Sequence, residues 1–202
     1  MFSKRAQTRY PIHALIAERW SGRAYDPDRP IARRDLLSLL EAARWAPSCY
    51  GDQPWRFIVW DRAADPEKWQ AVLECLVPGN QSWAAQAPIL IAALADSRLT
   101  HNDEANRWGQ YDTGAAAMNL CTQATALGMM IHQMGGFDAA RLAQRFAVPE
   151  RYTPMAMLTV GYQRAEASIP EDLKSREYAP RQRAAFHERF FEGTWGNGVV
   201  EE

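Results

Sequence analysis

Eight consecutive residues, "PILIAALA" (Pro88–Ala95), carry no polar side chain and open on a proline. The run is too short to span a membrane, and its unbroken apolarity reads as a strand buried on both faces. Such a strand needs cover above and below, so the rest of the chain must supply helices to a sheet. The periodicities agree. "YPIHALIAERW" predicts a first helix, ended where "SGRAYDPDRP" gathers Gly, Pro and Asp. A second helix is expected over Arg33–Trp45, with Leu36, Leu40 and Ala43 on one face and Pro47 stopping it. "WRFIVW" (Trp55–Trp60) alternates like a half-buried strand. Asp65 and Pro66 supply an N-cap and a first-turn proline for a helix reaching about Val77, where "PGNQSW" breaks it.

The stretch Gly109–Leu127, closed by Gly128, predicts the longest helix. Its run Gly114–Ala117 has so little bulk that another helix can approach closely, within one subunit or across an interface. "MMIHQM" then reads as a strand, "GGFDAARLAQRF" as a helix with Asp138 near its start, and "MAMLTVGY" as a further strand. From Gln163 onward the chain is charged and proline-punctuated, with little periodicity. The expectation is α+β, an α/β sandwich: one domain over 1–202, a central mixed β-sheet flanked by helices, and an extended tail (about 163–202). Such a tail needs a surface to lie on, and a neighbouring subunit would provide one.

Composition excludes several function classes. A formal charge of −1 argues against nucleic-acid binding, which requires a basic excess. The cysteines (Cys49, Cys75, Cys121) are odd in number and widely spaced, which fits a reducing compartment better than a disulfide or zinc framework. No apolar leader and no stretch of about 18 apolar residues is present, so a soluble, cytoplasmic protein is expected. His13, His101, His132 and His187 show no metal-ligand spacing, and His132, on an apolar strand, reads as a satisfied core residue. No GxSxG elbow, GxGxxG or P-loop occurs, so no Rossmann site is encoded. Any nicotinamide must bind without a dinucleotide domain.

Two arginine pairs suit an anion. "RWSGR" sets Arg19, Ser21 and Arg23 at alternate positions, and "APRQR" does the same for Arg181 and Arg183. In an extended chain, alternate side chains point the same way, and Pro180 favours extension before it. Paired guanidiniums match a phosphate through bidentate hydrogen bonds; solvated surface arginines are the plainer alternative. Gly135–Gly136, between a strand and a helix, could lay bare main chain against a flat ligand, or only satisfy a turn. The loop "APSCYGDQPWRF" is longer than a helix–strand link requires. Its Cys49 has no evident base to make it a nucleophile. Eight tryptophans could fill the core or an interface, or line a pocket; Trp45, Trp83 and Trp108 are the candidates for the last.

Taken in order, "ERWSGRAYDPDRPI", "LLEAARWAPSCYGDQPWRF" and "HQMGGFD" resemble the nitroreductase family of FMN-dependent oxidoreductases, over about His13 to Arg183. The resemblance implies an intertwined homodimer with two FMN molecules in the subunit interface. By position, Arg19 and Ser21 would bind the FMN phosphate with Arg181 and Arg183, and Trp20 would contribute its backbone. Arg23 would lie near the pyrimidine edge of the flavin, and Asn80 would hydrogen-bond the ring. Gln133, Met134, Gly135 and Gly136 would face the flavin with their backbone. Pro47, Ser48 and Cys49 would reach it from the second subunit, which gives the long loop its purpose. Cys49 stands where serine is common in the family, Gly51 where many members have asparagine, and Gly135 where some have glutamate. Lys174 and Arg176 are an alternative phosphate pair.

The activity implied is hydride transfer from NADH or NADPH, through FMN, to a flat acceptor such as a nitroaromatic or quinone, with no catalytic side chain of the protein's own. A specialised reductase of the same family (dehalogenase or enone reductase) and a non-catalytic FMN-storage protein are the alternatives.

Overall fold

The computed structural model describes residues 2–200; the ends of the expected domain, Met1 and Glu201–Glu202, lie outside them. The helices are α1 (Ala14–Glu18), α2 (Arg33–Arg44), α3 (Pro66–Leu73), α4 (Pro78–Ala84), α5 (Gly109–Ala126), α6 (Ala139–Arg145) and α7 (Glu171–Tyr178). The strands are β1 (Trp55–Asp61), β2 (Ile89–Asp96), β3 (Met130–Met134) and β4 (Tyr152–Gly161), in the spatial order β1-β2-β4-β3.

The apolar run is the central strand β2, buried at all eight positions. Its side chains divide by parity, as a period of two demands. Ile89, Ile91 and Ala93 join Leu36, Leu39, Leu120 and Ala124 of α2 and α5 in one core. Leu90, Ala92 and Leu94 join Trp69, Val72, Trp83 and Leu142 of α3, α4 and α6 in another. A register shift between Ala93 and Leu94 against β4 marks a bulge. The sheet is therefore sandwiched between two helical layers, as β2 requires.

Four sequence expectations need correcting. The sheet is not mixed: every pairing of the four strands is antiparallel, because no helix crosses over to join two neighbours in parallel. The first helix keeps only its middle, since Pro11 precedes it and Arg19, at ψ 124°, turns the chain extended. The helix from Pro66 stops at Leu73, short of Val77, and "PGNQSW" is not a break but α4, because Pro78 sits in the first turn, where its fixed φ favours a helix. The tail contains α7, hidden from periodicity because only Leu173 and Glu177 of it are buried.

The small-residue run of α5 is used inside the chain. Ala116 and Ala117 are buried, and α2 lies against α5, with Asn119 Nδ2 donating to the Ala42 carbonyl at 3.2 Å. Gly109 fits because a Cβ there would stand 2.3 Å from the Asp96 carbonyl oxygen, so β2 and α5 meet backbone to backbone.

Candidate functional site: an arginine cluster and a glycine ledge

Arg19 to Arg23 form the extended link that follows α1, and the C-terminal tail folds back onto it. Arg181 donates from Nη1 to the Ala17 carbonyl at 2.7 Å and to the Lys4 carbonyl at 2.9 Å. This anchors Arg181 beside Arg19, whose Nη1 donates to Ser21 Oγ at 3.3 Å. Burial, then the positive charges of Arg19 and Arg183, hold the Arg181 guanidinium below its ordinary pKa. Residues more than 150 positions apart thus bring three like charges together. None of the three is ion-paired to a carboxylate among the described residues; Arg183 donates only to the neighbouring Gln182 carbonyl. A cluster of cations held together without a counter-charge is the electrostatic mark of an anion site.

Arg23 lies over the Trp83 ring, 5.7 Å from its centroid. Burial, then the charge of Arg176, lowers its pKa. The second basic pair is therefore split. Lys174 is tied to Glu171 at 2.6 Å, while Arg176 stands near Arg23. The half-buried Trp20 side chain packs on Phe2 and beneath Lys4.

Strand β3 borders this cluster. His132 Nδ1 is 3.1 Å from the Gly22 carbonyl, and its ring lies 4.7 Å from that of Trp83. Burial above all, with Arg23 and Arg19 adding repulsion, lowers its pKa to about 4, so the ring is neutral at pH 7. Gln133 is exposed and donates to Cys121 Sγ at 3.3 Å; Met134 is in the core and offers only its backbone. Burial raises the pKa of the Cys121 thiol, which makes it an inert neighbour.

The two glycines do different things. Asn80 Nδ2 and Val77 N both donate to the Gly136 carbonyl, at 3.0 and 3.1 Å. A Cβ on Gly136 would come within 2.7 Å of Asn80 Nδ2, so a larger residue there would displace the Asn80 side chain. Gly135 is exposed, and a Cβ on it would meet nothing within 4 Å. It forms an open ledge of main chain. The structure thus brings Arg19, Ser21, Arg181 and Arg183 together, sets Arg23 by Trp83 and His132 next to Gln133 and Met134 on β3, and joins Asn80 to Gly136 beyond the end of that strand.

Pro47, Ser48 and Cys49 are elsewhere. Their loop is tightly wound, with Tyr50, Gly51 and Gln53 at φ 56°, 66° and 51°. The Cys49 amide donates to Asp112 Oδ2 at 3.0 Å, and the Gln53 amide to Ser48 Oγ at 3.0 Å. Asp112 lies in the first turn of α5, whereas Cys121, which senses the Arg19 charge, is nine residues further along. At 1.5 Å per residue the loop's anchor lies about 13 Å along the helix from Cys121. Of the candidate aromatics, Trp83 is buried beneath Arg23, while Trp45 is 73% exposed and Trp108 37%.

Sequence reasoning missed two anchors. Asp112 is buried and pins the loop, and Glu177 is buried and receives the Arg23 amide at 2.7 Å. Each carried a signal: Asp112 follows the start of α5 by three residues, and Glu177 follows Leu173 by four, on one helix face.

Comparison with known proteins places this geometry in a family. The sequence profile of the nitroreductase family matches residues 16–162. A 15.4 kDa protein of Mycolicibacterium smegmatis is 35% identical over 149 residues, covering 70% of this chain and 98% of its own length. A Bacillus subtilis (strain 168) protein that bears an NAD(P)H nitroreductase name is 30% identical over 183 residues, covering 73% of this chain and 86% of its own. A crystal structure described as an oxidoreductase containing FMN superposes with a TM-score of 0.88 at 33% identity, covering 98% of this chain and 99% of that one.

Proposed function

The chain belongs to the nitroreductase family, and from that premise we propose that it is an FMN-dependent oxidoreductase that takes reducing equivalents from NADH or NADPH. The observation that carries the reading is the cluster of Arg19, Arg181 and Arg183, none of them ion-paired among the described residues. These residues fit the cofactor: the guanidiniums and Ser21 match a phosphate, and the bare main chain at Gly135 admits a flat ring. Arg23 would hold a positive charge near the ring, and Asn80, fixed against Gly136, would border it. FMN, when bound, would supply the redox chemistry, a hydride transfer from the nicotinamide to a flat acceptor such as a nitroaromatic or quinone. The protein's part is to bind and orient the partners. The nicotinamide and the acceptor use the same open face in turn, which suits a chain with no dinucleotide fingerprint.

The functional unit we propose is a homodimer. The cleft that touches Arg19, Trp20 and Met130 measures about 210 Å³, below the roughly 300–1,000 Å³ of a typical ligand site. A cofactor would then need cover beyond what this cleft supplies. Exposed aromatics, among them Tyr50 (78%), Tyr111 (79%) and Trp195 (90%), leave apolar surface for a second copy to cover. In that assembly Pro47, Ser48 and Cys49 of one protomer would close the site of the other. Sedimentation of the flavin-loaded protein should give a mass near twice 22.9 kDa; a monomer that holds FMN tightly would remove the shared site. Among the described residues no helix is long and apolar enough to cross a membrane, and three free thiols suit the reducing cytoplasm.

The test of function is the visible spectrum of the FMN-loaded protein under anaerobic conditions. NADPH or NADH should bleach the flavin within seconds, and menadione or a nitroarene should restore it. A flavin that stays yellow with both nucleotides would favour storage over catalysis.

A further inference from the structure

The arginine strip is held at both ends by the same short piece of tail. At its entrance Arg181 binds the Ala17 carbonyl, two residues before Arg19. At its exit Glu177, four residues before Arg181, takes the Arg23 amide on Oε1 at 2.7 Å and also receives the Ala24 amide. Glu177 is fully buried, and its Oε2 has no hydrogen-bond partner. A buried carboxylate with one idle oxygen is costly unless it is needed. The charged groups that face it are Lys4 and Arg23, with neither in contact as an ion pair among the described residues. Its function is thus directed at the backbone of the strip, with the neighbouring cations offsetting only part of its burial.

We infer that Glu177 is a positioning residue for the phosphate site: by holding the Arg23 and Ala24 amides it fixes the path of residues 19–23, so that Arg19 and Ser21 face Arg181 and Arg183. This deepens the proposed function and rests on the FMN reading. The tail then brings two arginines and also sets the geometry of the strip they complete. Loss of the clasp should disturb recognition of the phosphate and leave in place the Gly135 ledge, whose neighbour Gly136 is held by Val77 and Asn80.

The experiment compares affinities for FMN and for riboflavin, which lacks the phosphate, in the full-length protein. Glu177→Asp keeps the charge but withdraws the acceptor by roughly 1.5 Å; Glu177→Gln keeps an acceptor in place without the charge. The FMN-to-riboflavin affinity ratio should fall about tenfold or more in Glu177→Asp. In Glu177→Gln it should equal or exceed the wild-type ratio, since a negative charge near the arginines is gone. A merely structural role would weaken both ligands alike and leave the ratio unmoved in Glu177→Asp, which overturns the inference. A fall in Glu177→Gln with Glu177→Asp intact overturns it too, by making charge the whole role. A wild type that prefers FMN no more than riboflavin would instead sink the phosphate site itself.

Discussion

Replacing Arg19 and Arg183 together by alanine is expected to weaken FMN binding by roughly 10²–10⁴-fold, at about 1.5–3 kcal/mol for each charge-assisted hydrogen bond lost. The pair is chosen for what it leaves intact. Arg181 also grips the carbonyls of Lys4 and Ala17, so its removal would loosen the chain as well as the site. Arg183 is exposed and donates only to the adjacent Gln182 carbonyl, and Arg19 donates to Ser21. Folding stability should therefore change by no more than about 0.5 kcal/mol, and relief of repulsion on Arg181 acts in the protein's favour. The two sites are close enough to couple, so the double variant need not equal the sum of the singles. Quenching of flavin fluorescence on titration measures the loss. It should shrink as salt rises, because screening weakens the wild-type site first. Lys174→Ala is the companion control: its ammonium is engaged with Glu171, and FMN affinity should stay within about twofold. Equal affinity in wild type and the double variant would take the phosphate away from this cluster.

Why these arginines could be nominated from sequence, while Glu177 could not, follows from how each kind of order is encoded. Alternation in an extended link is a local property. Arg19, Ser21 and Arg23 needed only their spacing, and β2 needed only its unbroken apolarity to require two covering layers. The direction of strand pairing is set by connections, and the sequence shows lengths but not routes; hence a sheet expected to be mixed is antiparallel. Helix α7 buries two side chains of its eight, and one of them is a glutamate, so neither periodicity nor hydropathy registers it. Glu177 gains its role from contact with residues 154 positions away. The 46–53 loop was legible as unusual but not as to cause. Its tight winding comes from left-handed Tyr50 and Gln53 and from Asp112, none of which has a local signature strong enough to predict. Gly135 and Gly136 looked alike in sequence. The Asn80 amide packed on one and the open space over the other separate a packing glycine from a ledge.

His132 makes the protein acid-sensitive, and the expected size is on the order of 3 kcal/mol. In the fold, burial and then the Arg23 and Arg19 charges depress the ring's pKa to about 4, against the weaker upward pull of the Gly22 carbonyl. The unfolded chain takes up the same proton near pH 6.5. Between those two values the unfolded state binds more protons, so stability rises with pH across the window. The contribution of His132 is complete above about pH 6.5 and is lost as the pH falls through about 4. The difference of about 2.5 units, at 1.36 kcal/mol each, gives the stated magnitude. Other groups titrate in the same range, so the measurement is a difference. Urea unfolding of wild type and His132→Asn would be followed from pH 7 to pH 4. Asparagine keeps an amide donor near the Nδ1 position for the Gly22 carbonyl and cannot titrate. At pH 7 it should cost some packing against Trp83, which lies 4.7 Å from the His132 ring. On acidification the wild type should lose about 3 kcal/mol more than the variant, so that the two curves converge or cross. Parallel curves would mean that the ring takes up its proton in the folded state as readily as in the unfolded one. That outcome would require a counter-charge beside it, and with it a site less positive than Arg19, Arg23 and Arg181 make it.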